Sequence, residues 1–64
     1  MLEFYYRAIW EDRDGWQIAF SFSVHACGRK SAEVEAMTLT KWYGKKVPPY
    51  FHFKELILTL TETI

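Results

Sequence analysis

Leu2-Glu3-Phe4-Tyr5-Tyr6-Arg7-Ala8-Ile9-Trp10 and Trp16-Gln17-Ile18-Ala19-Phe20-Ser21-Phe22-Ser23-Val24, joined through Asp12-Arg13-Asp14-Gly15, decide the fold. In the first run Leu2, Phe4, Tyr6, Ala8 and Trp10 alternate with Glu3, Tyr5, Arg7 and Ile9, the period-two pattern of a strand with one buried face. Trp16, Ile18, Phe20, Phe22 and Val24 repeat it against Gln17, Ala19, Ser21 and Ser23. Aspartates hydrogen-bond the local backbone and a glycine reaches the positive φ of a bulged turn, so the two runs form an antiparallel hairpin.

Outward from the hairpin, His25 to Lys30 reads as a loop. Ser31 offers a hydroxyl N-cap, with Glu33 and Glu35 placed where the helix dipole favours negative charge, and the helix is expected from about Ala32 to Tyr43. Ala32, Ala36, Leu39 and Tyr43, flanked by Trp42 and Thr40, share the stripe that faces the sheet; Val34, Met37 and Lys41 take the other side. Gly44 suits a left-handed C-cap, and Pro48-Pro49 forbids continuation.

The remaining segment is extended with a fault in it. Phe51 and Phe53 are odd while Leu56, Leu58 and Leu60 are even, so a bulge or bend is expected around Lys54-Glu55, with Ile57, Thr59, Thr61 and Thr63 on the opposite face. A right-handed return through the helix sets the last strand antiparallel to the first, in the sheet order second, first, last. The expected fold is α+β: residues 1–64 as one ββαβ domain, a three-stranded antiparallel sheet with one helix packed on one face.

Sixty-four residues allow one core and no deep cleft, since so short a chain buries only roughly 60% of its unfolded surface. An aromatic content of 19% supplies that core and excludes a disordered tail. Eight Lys plus Arg balance eight Asp plus Glu, so the long-range field that draws a protein to nucleic acid or an anionic membrane is missing. No apolar run approaches the roughly 20 residues that span a bilayer. Cys27 is the only cysteine, which excludes an internal disulfide, and with no signal-like start the expected setting is cytoplasmic.

His25, Cys27 and His52 are the only soft ligands, fewer than the four of a structural zinc site, and no orienting group completes a Cys-His nucleophile. The expectation is therefore a protein that is not an enzyme, with no catalytic residue, metal or cofactor. Arg29-Lys30 and Lys45-Lys46 fall at opposite ends of a helix roughly 18 Å long, which makes a poor phosphate track and argues against direct nucleic-acid binding. The sheet face away from the helix is more informative: it carries Tyr5, Arg7, Ile9, Gln17, Ala19 and Ile57, and Tyr and Arg are enriched where proteins meet. Tyr5, Arg7 and Ile9 are the candidate partner-binding residues, with Lys45 and Lys46 as a second, basic set.

The turn Glu11-Asp12-Arg13-Asp14-Gly15-Trp16 and the helix opening Ser31-Ala32-Glu33-Val34-Glu35-Ala36 resemble the amino-terminal module of HicB-like antitoxins over about the first 43 residues. Ser21-Phe22-Ser23-Val24-His25 stands where those modules carry a proline-rich segment. Glu35-Ala36, Lys41-Trp42-Tyr43, the proline loop and the last strand are similar to the RNA-polymerase inhibitor of short-tailed phages, and the small cofactor-free chain resembles anti-CRISPR proteins. That second resemblance implies a phage or mobile-element protein, monomer or homodimer, that inhibits a host protein or ribonucleoprotein complex by occupying a surface. The alternatives are an antitoxin module and a self-associating accessory or nucleic-acid-binding protein.

Overall fold

The computed structural model describes all residues from Met1 to Ile64. It contains strand β1 (Leu2–Glu11), strand β2 (Gln17–Ala26), helix α1 (Arg29–Gly44) and strand β3 (His52–Thr63). The sheet order is β2-β1-β3 with both pairings antiparallel, the expected ββαβ arrangement. No helix is long and apolar enough to cross a membrane.

Asp12 organises the hairpin. Its Oδ1 accepts from the amides of Asp14 and Trp16, both at 2.9 Å, and its own amide donates to the Trp16 carbonyl at 3.0 Å. Gly15 closes the turn at φ 88, a conformation that a side chain would strain. Because its backbone is held by Asp12, Trp16 belongs to the turn; it is 73% exposed and does not begin the inward series of β2 as its parity suggests.

The β1–β2 register runs without interruption from Glu11 opposite Gln17 to Leu2 opposite Ala26. Pairing to Leu2 and Glu3 therefore carries β2 through His25 and Ala26, and the expected loop shrinks to Cys27 and Gly28. The helix starts early as a result. Gly28 is the N-cap, extended and without a side-chain cap, and its carbonyl accepts the Ala32 amide at 3.1 Å. Ser31 thus sits inside the first turn, and Glu33 and Glu35 lie beyond it. Gly44 closes the helix without a left-handed conformation; Gly15 alone has positive φ.

Ala32 and Ala36 are fully buried and Thr40 is nearly so, its hydroxyl donating to the Ala36 carbonyl at 2.7 Å. These small residues let α1 lie close against β1 and β2, forming a core of Phe4, Tyr6, Val24, Ala26, Ala32 and Ala36. Leu39 joins this core only partly, and Trp42 is exposed. At the far end Tyr43 stacks on Phe20 and Phe22, and Trp10 meets Phe20 and Phe53 edge-on. Met37 is turned toward β3, where it lines an open groove with Tyr6, Leu56 and Leu58.

Strand β3 carries two irregularities. Ile9 faces Glu55 but Trp10 faces Phe53, so Lys54 is the extra residue of the bulge expected from the parity change. A second one, unexpected, lies between Tyr5 opposite Leu60 and Tyr6 opposite Leu58, leaving Thr59 unpaired. Directly opposed residues share a face. Leu60 therefore joins Tyr5 on the outer face, 52% exposed, while Thr61 and Thr63 stand opposite Phe4 and Leu2 on the helix side. This reverses the faces expected for Leu60, Thr61 and Thr63.

Candidate functional site: the open face of the sheet

The odd residues of β1 form the spine of the surface away from α1. Glu3, Arg7 and Glu11 are spaced four residues apart, about 13 Å along a strand. At one end Glu3 accepts from the Tyr5 hydroxyl at 2.7 Å, Ser23 Oγ at 2.9 Å and His25 Nε2 at 3.1 Å. These bonds, Tyr5 first, hold the Glu3 carboxyl below its usual range. The same Glu3 bond, with smaller contributions from burial and Glu62, pushes the Tyr5 phenol up to about 12. At the other end Glu11 accepts from Gln17 Nε2 at 2.8 Å and Lys54 Nζ at 3.1 Å, and its carboxyl is likewise lowered, chiefly by Gln17.

Both carboxylates of the spine are thus occupied, and the cation between them is not. Arg7 is exposed and has no carboxylate within 4.0 Å; the three ion pairs of the molecule are His25–Glu3, Arg29–Glu33 and Lys54–Glu11. Its cross-strand neighbours are Ser21 and Ile57. Around it Tyr5, Ser21, Ser23 and Thr59 line a shallow open hollow of ≈ 370 Å³. Thr59 is fixed there by its hydroxyl, which donates to the Tyr5 carbonyl at 3.1 Å. The surface offers a guanidinium with five donors and several hydroxyls, beside aliphatic cover from Ile9, Ile57 and Leu60. A carboxylate or backbone carbonyl flanked by apolar groups is the complement to that composition.

The structure gathers Tyr5, Arg7 and Ile9 on this face and sets Lys45 and Lys46 apart from them. Lys45 is the helix C-cap, and Lys46 Nζ lies 4.1 Å from the centroid of the Trp42 ring, on the helix layer. His25 pairs with Glu3 and His52 with Glu11, at opposite ends of β1 and about 27 Å apart along the strand. Cys27 is exposed in the loop, and no group of three or more His, Cys, Asp or Glu side chains is placed to hold a metal ion.

The Glu3–Ser23–His25 cluster was not anticipated from the residues, although the turn at Asp12–Gly15 already dictates a register that sets His25 opposite Glu3. On the helix side the Tyr6 hydroxyl is buried without a hydrogen-bond partner, and burial raises its pKa. Compared with known protein families, curated proteins and solved structures, the chain matches none, so the likenesses to antitoxin modules and phage inhibitors stand on the quoted residues alone.

Proposed function

We propose that this protein is a non-catalytic binding protein that lays its open sheet face on a host protein or ribonucleoprotein complex and inhibits it by occupancy, in the manner of small phage inhibitors such as anti-CRISPR proteins. One observation supports the reading above others: Arg7 stands without an ion pair at the centre of an exposed face, and the two carboxylates of its own strand, Glu3 and Glu11, are engaged by other side chains. An unpaired, fork-shaped donor beside Tyr5, Ile9 and Ile57 has the composition of an interface hot spot, in which truncating one side chain commonly costs about 2 kcal/mol or more. A partner presenting a carboxylate to this face would gain a bidentate contact that Lys could not reproduce.

The test compares Arg7→Ala and Tyr5→Ala with the double variant Lys45→Glu, Lys46→Glu, reading capture of the host complex and its inhibition at two ionic strengths. Arg7→Ala should weaken binding by about thirtyfold, which corresponds to about 2 kcal/mol, and leave the folded spectrum unchanged. If the Arg7 and Tyr5 variants bind like wild type while the lysine variant fails, with the loss depending on salt, the function lies at the end of the helix and not on the sheet.

A further inference from the structure

The two bulges of β3 are placed symmetrically. Side chains of β3 that face the helix layer are Phe53, Leu56, Leu58, Thr61 and Thr63, opposite Trp10, Ala8, Tyr6, Phe4 and Leu2. Those on the outer face include Glu55, Ile57, Leu60 and Glu62, opposite Ile9, Arg7, Tyr5 and Glu3. The extra residues are also outward: Lys54 reaches Glu11, and Thr59 lines the hollow beside Arg7. Read outward from Ile57 in both directions, the order is the same: one inward residue (Leu56, Leu58), two outward (Glu55 and Lys54, Thr59 and Leu60), then one inward (Phe53, Thr61). The next residue, His52 on one side and Glu62 on the other, is opposite Glu11 and Glu3 and so outward on both sides.

We infer that β3 pairs with β3 of a second copy, antiparallel about a two-fold axis at Ile57, to make a continuous six-stranded sheet. Bulges normally blunt an edge against foreign strands, because a regular partner cannot match the doubled outward residues. A second copy of this chain can. With the axis at Ile57, Leu56 meets Leu58 and Phe53 meets Thr61 on the helix side, while Ile57 meets Ile57, Lys54 meets Leu60 and Glu55 meets Thr59 on the outer side. Moving the axis to Leu58 would set inward Leu56 against outward Leu60, and moving it to Leu56 would set outward Lys54 against inward Leu58. The charges agree with the Ile57 centring, since His52 of one copy then faces Glu62 of the other at both ends.

The apolar exposure of the sheet is concentrated on the same strand. Phe53 is 45% exposed, Ile57 37% and Leu60 52%. Helix α1 packs mainly on β2 and β1 and covers β3 only in part, through Met37 beside Leu56 and Leu58. The pairing also extends the Arg7 row across the sheet as Ser21, Arg7, Ile57 and their three counterparts. Two Arg7 side chains would then rise from strands about 14 Å apart, three strand spacings, flanking a pair of isoleucines. The inference is independent of what the Arg7 face binds, because its test needs no partner.

The experiment measures sedimentation equilibrium of the intact chain from low to high micromolar concentration, together with disulfide trapping in a Cys27→Ser background. Residues directly opposed in an antiparallel pair have Cα atoms about 4.5–5.5 Å apart, within disulfide range. Ile57→Cys should therefore link two copies under mild oxidation. Thr59→Cys, also at an exposed position on the same strand, would lie about 14 Å from its counterpart and should link slower by an order of magnitude or more. Ile57→Lys, which sets like charges against each other on the axis, should yield a folded monomer. If Ile57→Cys does not fold, the double variant Lys54→Cys, Leu60→Cys gives the same reading, since those positions meet only across the axis. A chain that stays monomeric over the whole range, or Ile57→Cys and Thr59→Cys linking at equal rates, would overturn the inference.

Discussion

Strands β2 and β3 flank the same central strand and are finished differently. Strand β2 runs against β1 in unbroken register, and four of its five inward residues, Phe20, Phe22, Val24 and Ala26, lie beneath α1 or against Tyr43. Its outward residues are small or polar: Gln17, Ala19, Ser21, Ser23 and His25. Strand β3 has two bulges, only the Met37 edge of α1 beside its inward Leu56 and Leu58, and apolar side chains exposed on both faces. One helix cannot cover three strands, and here it sits over the hairpin. The hairpin side is therefore expected to contribute more of the stability, while the β3 side keeps apolar surface exposed.

That division predicts a graded mutational series, read from denaturant midpoints at constant m. Phe22→Ala removes a ring stacked between Tyr6 and Tyr43 and should cost about 3 kcal/mol, a large share of the stability of so small a domain. Leu58→Ala, inward but only half-covered, should cost about 2 kcal/mol. Leu60→Ala should change stability by less than about 0.5 kcal/mol, because the second bulge has turned the side chain outward. A Leu60 cost equal to that of Leu58 would mean that β3 has no second bulge, and the comparison would fail at its most specific point.

The outer face provides a smaller effect, seen in titration. Tyr5 ionises near 12 in the folded chain against an ordinary value of 10.0, so its contribution to stability is present below pH 10 and is lost as pH rises from there toward 12. Glu3 has the opposite sign: its lowered carboxyl contributes above its ordinary value of 4.5, and the contribution is lost as pH falls through the folded value. In an ultraviolet titration Tyr5 should be late to ionise, and Glu3→Gln should bring it back down. A Tyr5 midpoint unmoved by Glu3→Gln would remove the cluster that ties β1 to the free edge of β2.

Much of the architecture can be read in the residues, and the exceptions have local causes. The alternation of Phe4, Tyr6, Ala8 and Trp10, with an aspartate–glycine turn, determines the hairpin, its register and the face that bears Tyr5, Arg7 and Ile9. The bulge around Lys54-Glu55 was legible because Phe53 and Leu56 differ in parity. Thr59 was not, because Leu58-Thr59-Leu60 alternates as a regular strand does; only the pairing to Tyr5 and Tyr6 reveals the slip. Trp16 and Ser31 fit a strand and a cap by local rule, but each was overridden by hydrogen bonding of the hairpin, at Asp12 and at the Ala26 end of β2. Arg7 could be assigned to the open face from parity, whereas the engagement of Glu3 and Glu11 by residues from the two neighbouring strands depends on the pairing.

The claim that the helix finishes β2 and leaves β3 open is tested most directly by residue-resolved amide hydrogen exchange, at a concentration where the chain is monomeric. Amides of β2 paired to β1 should exchange only with global unfolding, at one common free energy, while amides of β3 paired to β1 should exchange by local opening at distinctly lower free energy. Equal protection of the two strands, or stronger protection of β3, would contradict the account.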